Sequence, residues 1–141
     1  MKNIQQRYLI LIVVFCIFLV GCAPQTITLE GATKEAVLTY SEAKTDTLLE
    51  GLASGDYATF SQDFDADMLK AIGETQFETL KKDRDTKLGA YISRQVNSIV
   101  QQDDFYAVIY DAKFEKDEAV TMRVVFRIAE PHDISGLWFN K

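Results

Sequence analysis

Apolar positions along this 141-residue chain follow three regimes: an unbroken run near the start, three- and four-residue spacings through the middle, and alternation towards the end. The middle regime predicts helices. Thr33 stands as an N-cap, and Ala36, Val37, Tyr40, Ala43, Leu48, Leu49 and Leu52 follow until Gly55 stops the run, a helix of about 20 residues. Asp56 can cap a second, short helix over residues 57–64, with Tyr57, Phe60 and Phe64 on one face. A third begins near Asp67, pauses at Gly73 and resumes after Thr75, where Thr75-Gln76-Phe77-Glu78 has the order of a capping box. Gly89 suits the left-handed residue that ends a helix.

After Gly89 the period switches to 2, the signature of strands. Residues 91–100 place Ile92, Val96 and Val100 on one side, and Gln101-Gln102-Asp103-Asp104 makes a turn. Residues 105–114 put Tyr106, Val108, Tyr110, Ala112 and Phe114 on one face, opposite Asp111 and Lys113. A short polar turn, residues 115–118, leads back through Val120, Met122, Val124, Phe126 and Ile128, with Arg123 and Arg127 pointing the other way. Residues 131–136 turn the chain again before a short terminal strand, Leu137-Trp138-Phe139. Helices followed by a meander of long strands predict an α+β domain, its N-terminal helices packed on one face of an antiparallel sheet.

The unbroken run has a different meaning. Lys2 and Arg7 precede 13 uncharged residues, Tyr8 to Val20, and Gly21 then Cys22 follow. This is the layout of a signal peptide, and the run is short for a membrane span, which needs about 20 apolar residues. Leu19-Val20-Gly21-Cys22 resembles the bacterial lipobox, which implies cleavage before Cys22 and a lipid on its thiol. An uncleaved N-terminal anchor is the alternative, and it tethers the same domain. The expected organisation is a signal peptide over residues 1–21, a lipidated linker over residues 22–32 and one domain over residues 33–141. Cys16 leaves with the signal and Cys22 carries lipid, so no disulfide framework is available. The whole chain has 15 basic and 21 acidic residues, and loss of Lys2 and Arg7 leaves 13 against 21, a net charge of −8. That balance argues against nucleic acid and against electrostatic binding to an anionic bilayer, so the membrane partner is reached through the lipid on Cys22. Ala23, rather than Asp, after the cysteine directs the expectation to the cell envelope, on the outer membrane if the host has one.

The domain itself carries a resemblance. The first helix, the Gly55-Asp56-Tyr57 step with Phe60 and Phe64, the Leu88-Gly89 turn, the long strands and the closing Ser135-Gly136-Leu137-Trp138-Phe139 resemble the domain-of-unknown-function family 3887, over about residues 33–141. The resemblance implies a cystatin-like, nuclear-transport-factor-2-like fold, in which a curved sheet wraps a long helix to form a cone. It implies no established activity. Domains of this kind often hold a ligand between sheet and helices, their enzymes place an Asp, His or Tyr there, and the outer sheet face is often a dimer surface.

Candidate chemistry is sparse. Tyr40, Tyr57, Tyr106 and Tyr110 fall on inward stripes, where they line a candidate pocket for a small apolar or aromatic ligand or simply close a core. His132, the only histidine, sits in a turn beside Asp133, which can orient its ring, but no Ser, His and Asp arrangement accompanies it. Asp63, Asp65, Asp67 and Glu74 have the spacing of a calcium loop, yet Met68 stands where the loop needs glycine, so helix capping explains them better. No zinc spacing and no phosphate loop occur, and no cofactor is expected. The charge-mixed helix segment Lys81 to Lys87 reads as a solvated face. Arg123 and Arg127, beside Gln95 and Asn97, make the outer sheet face a candidate interface for a homodimer or an envelope protein. The leading expectation is a membrane-anchored lipoprotein with a non-catalytic binding module. The alternatives are a small cone-fold enzyme, isomerase- or hydratase-like, and a structural subunit dimerising through its sheet.

Overall fold

The computed structural model describes residues 26–141. The expected signal peptide, the lipobox with Cys22 and the first part of the linker lie outside them. The order is β1 (Ile27–Thr28), α1 (Gly31–Ser54), α2 (Tyr57–Phe60), α3 (Ala66–Ala71), α4 (Glu74–Lys87), β2 (Tyr91–Gln102), β3 (Phe105–Phe114), β4 (Asp117–Arg127) and β5 (Ile134–Asn140). The five strands form one antiparallel sheet in chain order, and the helices pack against it, the α+β arrangement that the switch of period predicts. Among the described residues no helix is long and apolar enough to cross a membrane.

The alternation in β3 and β4 holds. Val108, Tyr110, Ala112 and Phe114 are buried with Val120, Met122, Val124 and Phe126, while Asp111, Lys113 and Arg123 are exposed. Phe60, Phe77, Leu48 and Leu52 bring the helices onto this face. The buried stripe of α1 runs through Val37, Ser41, Thr45, Leu48 and Leu52, so short polar side chains occupy two positions where α1 meets the core. Arg84, buried on α4, donates from Nη2 to the carbonyl of Leu52 at 3.1 Å, which fastens α4 to the C-terminal turn of α1.

Several expectations are corrected by tertiary pairing. Residues 27–29 are not linker: Ile27 and Thr28 pair with Gln101 and Val100, and the amide of Leu29 donates to Ile99 O at 2.8 Å. α1 starts at Gly31 rather than after Thr33, with Glu30 at the cap position. The second helix ends at Phe60, because Phe64 is drawn into a parallel bridge with Ile134. That bridge also begins β5 three residues before Leu137. The Thr75 capping box does not form, since Gly73 is the cap and Thr75 is already inside α4. Gly89 does take the left-handed conformation, at φ 80°. In β2 the alternation holds only in part. Register shifts between Tyr91 and Ser93 and between Val96 and Ser98 turn Ile92 outward, to 59% exposure, and put Ile99 rather than Val100 in the core.

Candidate functional site

The four tyrosines do not share one environment. Tyr110 is fully buried; its hydroxyl donates to Glu42 Oε1 at 2.8 Å and lies 3.2 Å from Thr45 Oγ1. Burial, above all, raises its pKa, so the phenol stays protonated. Tyr57 donates to the carbonyl of Ile72 at 2.9 Å and its ring tilts against Phe77. Tyr40 stacks on His132 with ring centroids 4.0 Å apart and meets Phe126 edge-on at 5.9 Å. Its buried hydroxyl has no hydrogen-bond partner among the described residues, and burial, with the nearby Tyr106, pushes its pKa up to about 12. Tyr106 is half-buried and pairs with Phe126. Thus the fold brings Tyr40, Tyr106 and His132 together and sets Tyr57 and Tyr110 apart as packing residues.

His132 is not oriented by Asp133. Its Nδ1 lies 3.2 Å from the carbonyl of Arg127, whereas Asp133 is 4.0 Å from Lys44 Nζ. The acidic run is likewise divided among separate partners: Asp63 pairs with Lys44 at 3.0 Å, Asp65 caps α3 through the amides of Asp67 and Met68, and Asp67 reaches Arg127 at 3.4 Å. Among the described residues no three such side chains converge on a metal position.

The polar network that the periodicity reading missed is centred on Arg94. This β2 residue points inward between the two register shifts, and its side chain is 8% exposed. Its Nη1 lies 2.7 Å from Asp46 Oδ1, its Nη2 lies 3.2 Å from Glu42 Oε2, and the guanidinium sits 5.2 Å from the centre of the Tyr110 ring. Burial opposes the charge, but the bonds to Asp46 and Tyr91 and the charge of Glu42 outweigh it, and the pKa is raised. Cation and phenol are both held in their protonated forms, and the group joins α1 to the sheet. Two acids four residues apart on α1 and an arginine in step with Val96 were the signals available.

Arg123 and Arg127 share a strand face but differ in use. Arg127 Nε donates to Asp65 Oδ2 at 2.7 Å, and Ser135 Oγ donates to the same oxygen at 2.5 Å. Burial works to raise the Asp65 pKa; the bonds from Ser135, the Met68 amide and Arg127 outweigh it and hold the carboxyl below its ordinary range. Arg127 is therefore committed to the fold. Arg123 is exposed, with its guanidinium 5.3 Å from the centre of the Trp138 ring.

Around this pair the outer sheet face has a shallow depression of about 350 Å³, floored by Phe105, Ala107 and Val125 and rimmed by Arg123, Trp138 and Asp103. Register aligns Val100, Ala107, Val125 and Gly136 in one row across four strands. The indole of Trp138, 47% exposed, lies over Gly136, where a Cβ would come within 2.1 Å of it. Phe105, Ala107 and Val125 thus form an apolar floor, and one aromatic, one cation and one carboxylate form its rim.

Comparison with curated proteins and with solved structures gives no match. One family profile does match, over residues 45–137, from the middle of α1 to the edge strand β5. With most of the chain inside that match, the protein belongs to the family described as protein of unknown function (DUF3887).

Proposed function

We propose that this protein is a lipid-anchored, extracytoplasmic lipoprotein whose domain recognises a partner protein through the outer face of its sheet and catalyses no reaction. The observation that carries the reading is the exposed Trp138 and Arg123 pair above a floor of apolar side chains. The inner face offers less, because Tyr110, Phe114, Phe126, Phe60 and Phe77 fill it. A cystatin-like, nuclear-transport-factor-2-like cone is the arrangement we favour, since the meander sets α1 against the inward rows of β3 and β4. The Leu19-Val20-Gly21-Cys22 motif supports anchoring, and with it a position in the cell envelope, on the outer membrane if the host has one.

Two measurements test this. Cys22→Ser in the full chain should leave the precursor uncleaved and without lipid; release of wild type from membranes by high salt alone refutes lipid attachment, which is not electrostatic. A photo-crosslinking residue in place of Trp138, in the full chain in its own host, should give one discrete adduct that Arg123→Glu removes. An adduct of twice the chain mass identifies a second copy as the partner, and a failure to crosslink refutes recognition through this face. Arg127→Glu is unsuited to the purpose, because it breaks the bond with Asp65 inside the fold.

A further inference from the structure

A second groove, about 330 Å³, lies between α4 and β5. Leu80, Leu88, Leu137 and Phe139 give it an apolar lining, and Arg84, Lys87, Lys141 and Asp83 its charge. Leu137, Trp138 and Phe139 are consecutive strand residues whose side chains alternate in direction, yet all three line the groove. The groove therefore follows the open edge of β5 rather than either face of the sheet.

That edge is half closed. The segment before α3 covers its start, with Ile134 N donating to Asp63 O at 2.7 Å and Asp65 N donating to Ile134 O at 3.0 Å. Beyond it, β5 is the last strand of the sheet, and among the described residues no strand flanks residues 136–140 on the far side. Every second residue of such an edge turns its N–H and C=O outward, a template for an added strand. No charged residue of β5 itself blunts this edge.

Charge narrows the occupant. The chain is acidic overall, but three of the four charged residues of this groove are basic. Among the described residues Lys87 pairs only with exposed Asp83, at 3.1 Å, and Lys141 reaches Asp117 at 3.3 Å, surface pairs that exchange readily for another carboxylate. Arg84 supplies an independent pointer: its side chain is 4% exposed, and although its Nη2 reaches Asp85 Oδ1 at 2.9 Å and Leu52 O at 3.1 Å, its buried Nε has no acceptor among the described residues.

We propose that an extended peptide of a partner protein adds to β5 as a sixth strand, with an acidic side chain of the peptide set against Lys87, Lys141 and Arg84. Main-chain bonds to residues 136–140 would give affinity, and the apolar lining would take alternate side chains of the peptide. The proposal deepens the binding reading above and rests on it for the existence of a partner protein, but it uses a different surface.

The test uses the full chain in detergent micelles and an end-capped nonapeptide of alternating valine and glutamate, with its valine and lysine counterpart as control. Trp138 is the only tryptophan and lines the groove, so its emission reports occupancy, while amide exchange by NMR reports strand addition. The glutamate peptide should shift the emission saturably and slow exchange at residues 136–140. Lys87→Glu with Lys141→Glu should weaken it at least about tenfold, and Arg123→Glu on the outer face should leave it unchanged. No slowing along β5, equal binding of the lysine peptide, or loss through Arg123→Glu alone overturns the proposal. A crosslink at Trp138 in cells that survives Arg123→Glu but is lost with Lys87→Glu and Lys141→Glu instead upholds the groove and refutes the outer-face reading.

Discussion

Replacing Asp65 by Asn tests how the start of β5 is held to the helical layer. The carboxylate is 5% exposed and does two separate jobs: Oδ1 caps α3 through the amides of Met68 at 2.8 Å and Asp67 at 3.1 Å, and Oδ2 accepts from Arg127 and Ser135. Asn caps a helix about as well as Asp, so the first job survives. The second loses a charge-assisted bond, worth about 1.5–3 kcal/mol. Arg127 is partly exposed and retains water as a partner, which puts the expected loss near the middle of that range, about 2 kcal/mol. At about 4 °C per kcal/mol for a domain of this size, Tm should fall by about 8 °C. Asp65→Ala also removes the cap and should cost about 1 kcal/mol more.

The pH dependence separates charge from shape. The Asp65 pKa is lowered from 3.8 in the folded state, so the unfolded chain binds the proton first as acid is added. Its contribution is therefore fully present above the unfolded pKa of about 3.9 and is lost as pH falls through the folded value. Urea unfolding at pH 6 should show the full gap between wild type and Asp65→Asn, and the gap should shrink steadily below about pH 4. An Asn variant as stable as wild type at pH 6, or a gap that does not change with acid, would refute the assigned role.

Other positions give sharper yes-or-no outcomes. Tyr110→Phe keeps the buried ring but deprives Thr45 and Glu42 of their partner, and urea unfolding should record a loss of about 1–2 kcal/mol; an unchanged midpoint would mean that the Glu42 bond does not form in solution. Gly51→Ala should gain about 1 kcal/mol of helix propensity in an isolated peptide. In the folded protein its Cβ would meet Phe60 N at 2.2 Å and Phe60 Cα at 2.6 Å, backbone atoms that cannot swing away. The net result should be a loss of about 2 kcal/mol or more in calorimetry, and a stabilised variant would show that α1 and α2 sit further apart than described.

The parts of the fold visible in the sequence are those decided by local period and local chemistry. β3 and β4 alternate cleanly because one face meets the core and the other does not, and Asp56 caps α2 because its carboxylate reaches the amides of Ala58 and Thr59. The departures that reshape the sheet involve partners far away in the chain. Ile27 and Thr28 carry no strand pattern of their own; they are strand because Gln101 and Val100 lie beside them. Phe64 leaves its helical face for Ile134, 70 residues on, and Asp65 finds its charge partner in Arg127.

The same logic explains why the surfaces were only half legible. Arg123 and Arg127 have identical spacing and identical facing in sequence, and a reading by period must treat them alike. Asp65 distinguishes them: it draws Arg127 into the fold and leaves Arg123 with Trp138 as its neighbour. Gly136 then decides what that neighbour can do, since any side chain there would lift the indole off the sheet. Exposure of Trp138 at the meeting point of the outer face and the β5 edge thus follows from two residues whose roles lie outside any period. One tryptophan borders both candidate surfaces, so emission alone reports that something has bound without saying where. The Lys87 and Lys141 pair on one side and Arg123 on the other are the substitutions that separate the two, because each pair of partners belongs to one surface only.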